Sequence, residues 1–173
     1  PIMAYKNGFL LASYKPGGIY SSTDNGVTWS TPAMQAYHIN AFAFDSVGNG
    51  FATGSNSSNS PSGSLFKTTD QGVTWTSVYT WAKDTIPNAI GIKPDGTIIL
   101  GVNFPPPDPK NPASPYSQIW TSANGGFTWV KLSILGLHGS PSFKFFACEP
   151  NGDIYTTLSN GLNRSTDNGV SWN

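Results

Sequence analysis

The sequence has little charge. Lys, Arg, Asp and Glu together supply 10% of its 173 residues, against roughly 25% in an average soluble domain. Nine basic and nine acidic residues balance to a net charge of zero, which leaves no electrostatic footprint for nucleic acid or for an anionic membrane. A single cysteine, Cys148, excludes an internal disulfide and a cysteine metal cluster. No stretch of about 18 consecutive apolar residues is present, so no membrane-spanning helix is expected. No segment keeps a helical hydrophobic period, and no nucleophile elbow, P-loop or dinucleotide fingerprint occurs. The chain opens at Pro1 without a signal-like apolar segment, which suggests a mature, trimmed or excerpted product.

Aromatic residues, by contrast, are abundant at 13%, with six tryptophans. That is far too many for a disordered polar chain. The length suits one domain with one good core. Solubility must come from Ser, Thr, Asn and Gly, a balance that leans towards an extracellular protein.

The dominant feature is repetition, the first thing to look for in such a chain. The octapeptide STDNGVTW (22–29) returns as TTDQGVTW (68–75), SANGGFTW (122–129) and STDNGVSW (165–172). Its third residue falls at Asp24, Asp70, Asn124 and Asp167, in steps of 46, 54 and 43 residues. Ahead of each box lies a Gly-containing turn between two apolar runs, as in YKNGFLLAS (5–13), IKPDGTIILG (92–101) and CEPNGDIYTT (148–157). Asn-Gly and Asp-Gly in that setting are strong hairpin signals. Each unit therefore reads as four strands, A to D, the box forming the C–D turn. Strand A is expected at INAFAF (39–44), NAIGI (88–92) and FKFFAC (143–148). These runs are apolar on both faces and rich in small residues, as a strand crowded between sheets requires. The fold class is all-β, with repeats at approximately 1–36, 37–82, 83–137 and 138–173.

The pattern Ser/Thr-x-Asp-x-Gly-x-Thr/Ser-Trp resembles the Asp-box, or bacterial neuraminidase repeat, of β-propellers such as sialidases, xyloglucanase-type endoglucanases and sortilin-type receptors. The resemblance covers all four repeats and implies a β-propeller of four-stranded antiparallel blades. Asn124 is the one departure. A structural role for the box follows from its chemistry. Asp or Asn closes a tight turn by accepting backbone N–H bonds. Gly26, Gly72, Gly126 and Gly169 allow positive φ. Trp29, Trp75, Trp129 and Trp172 each offer about 200 Å² for burial between sheets. A catalytic carboxylate would not tolerate Asn124. One carboxylate per box is also too few for a calcium loop, so neither metal nor cofactor is expected.

Function is expected on the face opposite the boxes, where the B–C and D–A connections vary in length. Repeat 2 inserts SNSSNSPSG (55–63), and repeat 3 inserts NFPPPDPKNPASPY (103–116). Ligand-binding candidates on these connections are Tyr37, Trp81, Phe104 and Tyr116, which can stack on sugars or peptides or simply cap the core. His38 and His138 lie in corresponding connections. Sialidases grip their substrate with three arginines, and this chain has only Arg164. Xyloglucanase-type enzymes work through paired acids, as glycoside hydrolysis generally requires, and Asp84 with Asp108 is the only such pair on the loop face.

The expectation is a secreted or cell-surface propeller module of bacterial type that binds glycan or extracellular protein without catalysis. A partial glycoside hydrolase is the rival. Neither nucleic acid nor membrane insertion is involved. Because Asp-box families usually close with six or more blades, the chain is expected to be an excerpt of a larger propeller. A compact four-bladed ring, or self-association with a second copy, comes next.

Overall fold

The computed structural model describes residues 2–13, 17–56, 61–103, 117–133, 143–158 and 161–173. These residues form four antiparallel sheets, each a meander of consecutive strands. The first holds β1 (Ile2–Lys6), β2 (Phe9–Ser13) and β3 (Ile19–Ser22). The second holds β4 (Tyr37–Phe44), β5 (Gly50–Asn56), β6 (Ser62–Thr68) and β7 (Thr76–Lys83). The third holds β8 (Ile86–Ile92), β9 (Ile98–Asn103), β10 (Ser117–Ser122) and β11 (Val130–Lys131). The fourth holds β12 (Phe146–Cys148), β13 (Ile154–Leu158) and β14 (Gly161–Ser165). No helix among the described residues is long and apolar enough to cross a membrane.

The first strands of successive sheets pack side by side, β1 against β4, β4 against β8 and β8 against β12. This is the radial succession of propeller blades about an axis. The crowding accounts for the small residues in these strands: a Cβ on Gly91 of β8 would lie 2.7 Å from the Cβ of Phe146. No contact of similar extent among the described strands joins the fourth sheet back to the first.

The core is three seams, one between each pair of neighbouring sheets. Phe9, Leu11 and Ile19 of the first sheet meet Ala52 and Phe66 of the second. Phe51, Leu65 and Trp81 of the second meet Ile98, Leu100 and Val102 of the third. Ile99 and Ile119 of the third meet Phe146, Ile154 and Trp172 of the fourth. Strands buried on both faces read as continuous apolar runs for this reason.

Several strands depart from the boundaries expected from sequence. Strand A of the fourth repeat begins at Phe146 rather than Phe143. Phe143 is buried over β9, where a Cβ on Gly101 would lie 2.5 Å from its own Cβ. Thr156 Oγ1 donates to the Phe145 carbonyl at 2.7 Å, where a ladder bond would otherwise form. Strand D of the first repeat shrinks to one bridge, Ile19 with Ala33, beside Pro32, which has no N–H to donate. The last three residues of the first three boxes lie in the turn, and strand D starts only after them, whereas in the fourth box Ser171 already forms a bridge. Conversely, β4 and β7 are longer than expected. Bulges at Ile39/Ala41 and along β6–β7 keep the pairing going, as an extra residue absorbed into one strand does.

The seams make a sharp prediction about glycine. Gly96 and Gly126 both have positive φ, but a Cβ on Gly96 meets nothing within 4 Å, whereas on Gly126 it would lie 2.6 Å from Leu65 Cδ2 of the preceding sheet. In urea denaturation Gly96→Ala is expected to lose about 1 kcal/mol and Gly126→Ala on the order of 2–4 kcal/mol. Equal losses would mean that the two sheets do not meet at Gly126.

Candidate functional site

Each box is a closed set of hydrogen bonds. In the first, Ser22 Oγ donates to Asp24 Oδ1 at 2.7 Å and accepts from the Gly26 N–H at 2.8 Å. Asp24 then accepts the Thr28 N–H at 2.9 Å and the Thr28 hydroxyl at 2.5 Å. The same bonds recur around Asp70 and Asp167. The Thr28, Thr74 and Ser171 hydroxyls, followed by the N–H groups of the same residues, hold Asp24, Asp70 and Asp167 down to about 2.

Asn124 satisfies the turn with its polarity partly reversed. Its Oδ1 accepts from Ser122 Oγ at 2.9 Å and from the Thr128 N–H at 3.0 Å. Its Nδ2 donates to Thr128 Oγ1 at 2.8 Å, so the Thr128 hydroxyl now accepts. The tryptophan N–H groups of Trp29, Trp75 and Trp172 close the turn onto the carbonyls of Gly26, Gly72 and Gly169. Trp129 instead sets its ring against Tyr79 and Trp81, with centroids 6.2 and 5.4 Å away, and its buried Nε1 has no partner among the described residues.

The A–B turns share this face, as the Asn25 N–H donating to the Gly8 carbonyl shows. Here too the acids build turns. Asp45 accepts from the Val47 and Asn49 N–H groups, Asp95 from that of Thr97, and Asp153 from Arg164 and Asn151. The Arg164 guanidinium lowers the Asp153 carboxyl, and the Thr97 N–H lowers that of Asp95. Where the four A–B turns converge, a cavity of about 240 Å³ is lined by Lys6, Phe44, Lys93 and Cys148 among others. Neighbouring hollows measure about 260 and 200 Å³. All three are below the roughly 300 Å³ at which ligand pockets begin. The cavity's cations are already engaged, Lys6 with the Asp45 carbonyl and Lys93 with Asn168 and Asp95. Burial pushes the Cys148 thiol up to about 11, which leaves it protonated and a poor nucleophile at neutral pH.

On the opposite face, the candidates expected on loops are found in strands where they can be followed. Tyr37 and His38 open β4, opposite Asn56 and Ser55. Tyr37 meets the Phe66 ring edge-on at 4.8 Å, and the buried Nδ1 of His38 has no partner among the described residues. Trp81 lies in β7 rather than in a connection, 5% exposed, with its centroid 4.8 Å from that of Tyr79. The β6–β7 bulges that prolong β7 carry it into the seam, so it offers no free face for stacking. Asp84 makes the turn from β7 to β8, with φ +62 and an ion pair to Lys83 at 3.7 Å. Phe104, Asp108, Tyr116 and His138 lie outside the described residues, so the Asp84–Asp108 and His38–His138 pairings do too. Among the described residues no group of three or more His, Cys, Asp or Glu is placed to hold a metal.

One feature of the box face had no assignment from sequence. The sixth box residue is apolar in every copy, and Val27, Val73, Phe127 and Val170 are exposed by 81%, 74%, 70% and 43%. The signal was legible as an apolar residue in a polar turn, repeated four times.

No protein-family model matches the chain, and no curated protein matches it. Solved structures do. A GH74 xyloglucanase from Xanthomonas campestris superposes with a TM-score of 0.63 at 14% identity, over 95% of this chain and 27% of that one. The structure of YCF48 bound to D1 peptide gives 0.60 at 16% identity, over 96% and 49%. Trypanosoma rangeli sialidase, in complex with the inhibitor DANA, gives 0.57 at 12% identity, over 100% and 37%. The chain thus spans about a quarter to a half of these proteins and shares their β-propeller fold.

The box carboxylates set an acid limit on stability. Their folded values near 2 lie below the ordinary carboxylate value of 3.8. Their contribution is therefore complete above about pH 4 and is lost as pH falls towards 2. Urea midpoints should decline through that window, and an Asp24→Asn, Asp70→Asn, Asp167→Asn triple variant should flatten the decline. An unchanged decline in the variant would assign it to other groups.

Proposed function

We propose that the chain is an Asp-box β-propeller module, secreted or displayed at the cell surface of a bacterium, that binds glycan or protein and does not catalyse. The observation that carries this reading is the use of its acids. Asp24, Asp45, Asp70, Asp95, Asp153 and Asp167 are all tied into turns on the box face. Glycoside hydrolysis needs two acids facing one substrate, about 5–10 Å apart, and Asp24, Asp70 and Asp167, held down to about 2 by their hydrogen bonds, make poor proton donors at neutral pH.

Binding by such a scaffold has a parallel in the propeller that is bound to a D1 peptide. The proposed site is the face opposite the boxes, where Tyr37 and His38 begin β4 opposite Asn56 and Ser55. Both side chains are half-buried there, which leaves part of each ring open to a ligand. The hollows of the box face are too small and too fully hydrogen-bonded to serve.

Calorimetric titration with xyloglucan oligosaccharides and with extended peptides tests this directly. Saturable binding is expected, weakened about 10-fold or more by His38→Ala, with no release of reducing ends. Turnover of xyloglucan by the wild-type chain that disappears in Asp84→Asn would replace the binding reading with the hydrolase.

A further inference from the structure

Three successive inner strands carry a polar residue at the same position. The A–B turns fix the register, with Asp45, Lys93 and Glu149 each donating its N–H to the carbonyl four residues on. Counted back from those turns, Asn40 of β4, Asn88 of β8 and Lys144 just ahead of β12 correspond. Each is followed by four apolar or small residues. In β4 and β8 the asparagine is the extra residue of a bulge, between Ile39 and Ala41 and between Pro87 and Ala89. A bulge re-aims the side chain it carries. These strands run into the A–B turns, so the polar position lies at their other end, on the face opposite the boxes.

The fold uses only the first of them. Asn40 Nδ2 donates to the Pro87 carbonyl of the next inner strand at 3.2 Å and ties the second sheet to the third at this end. The residue in the place of Pro87 one sheet further on is Phe143. It has left the ladder for its seat over Gly101, and β12 begins only at Phe146. The half-buried Asn88 carboxamide accordingly makes no hydrogen bond among the described residues. Lys144 is exposed and belongs to no ion pair among the described residues, whereas Lys83, Lys93 and Arg164 each pair with an aspartate.

We propose that Asn88 and Lys144 bind the carboxylate of an acidic glycan where the third and fourth sheets meet on the face opposite the boxes. The inference rests on the reading of that face as the binding face and names the chemistry it takes. The Lys144 ammonium supplies the charge and the Asn88 carboxamide an N–H donor. The carboxamide oxygen is left to accept from a hydroxyl. A uronic acid ring carries a hydroxyl beside its carboxylate, whereas an acidic peptide side chain does not. The chain has no net charge, so the attraction is local to this pair rather than a field of the whole protein.

Calorimetric titration of the 173-residue chain with oligogalacturonate, neutral xyloglucan oligosaccharides and oligoglutamate tests the proposal. Oligogalacturonate is expected to bind about 10-fold or more tightly than either of the others. Asn88→Ala and Lys144→Gln should each weaken it by on the order of 10-fold. Lys131→Gln removes the same charge from β11, the outer strand of the third sheet, and should change nothing; an equal loss there would reduce the effect to general charge and overturn the site. Melting curves check that the variants stay folded. Should Asn88→Ala fail, Asn88→Asp keeps the side-chain shape and sets a like charge against the ligand, with at least the same loss expected. Oligogalacturonate binding that ignores both Asn88 and Lys144 overturns this inference and leaves the binding face in place. Neutral oligosaccharide or oligoglutamate binding as tightly as oligogalacturonate overturns the acidic glycan. No binding by any of the three overturns the inference and the glycan reading of the face together.

Discussion

The seating of the second, third and fourth boxes on the sheet that precedes each is the contact on which the rest of the molecule depends. A three- or four-stranded sheet has two faces to cover, and no helix among the described residues covers them. The neighbouring sheet covers them instead, and the box sets how closely it approaches. Gly126 lets backbone reach Leu65, and Trp172 fills the space between Ile99 and Phe146. The apolar area that would stabilise one domain core is thus divided into three equivalent seams, as in repeat proteins whose stability is a sum of neighbour interactions.

The polar side of the box serves the same end. A Ser or Thr hydroxyl and an Asp or Asn side chain satisfy the turn's N–H groups, which frees the turn from needing strand partners. Asn124 shows how little of this depends on charge. An amide oxygen accepts the same N–H, and the Thr128 hydroxyl reverses its role. The acids of this weakly charged chain are largely spent in the same way, with Asp24, Asp45, Asp70, Asp95, Asp153 and Asp167 each accepting hydrogen bonds in a turn.

Most of the fold was legible in the sequence because its signals are local. The four boxes, the Asn-Gly and Asp-Gly hairpins and the apolar strands are each encoded within about ten residues. What escaped depends on distant partners. Phe143 reads as strand, yet it leaves the ladder because Gly101, some forty residues earlier, offers it a place. Trp81 reads as a loop aromatic, yet bulges in β6–β7 draw it into a seam beside Trp129. Asn40 reads as one strand residue among others, yet at the β4 bulge its amide ties the second sheet to the Pro87 carbonyl of the third. The candidate site was legible only as a face. Local sequence identifies which turns the scaffold uses, but not which side chains meet on the face opposite them.

The contact between Trp81 of the second sheet and Trp129 of the third sheet's box, 5.4 Å between centroids, is where the central claim is most exposed to test. A double-mutant cycle of Trp81→Ala, Trp129→Ala and the pair, followed by urea denaturation, measures whether the box tryptophan holds the preceding sheet. The account predicts a coupling of about 1 kcal/mol. Losses that add to within about 0.3 kcal/mol would contradict it and would leave the box as a turn without a role between sheets.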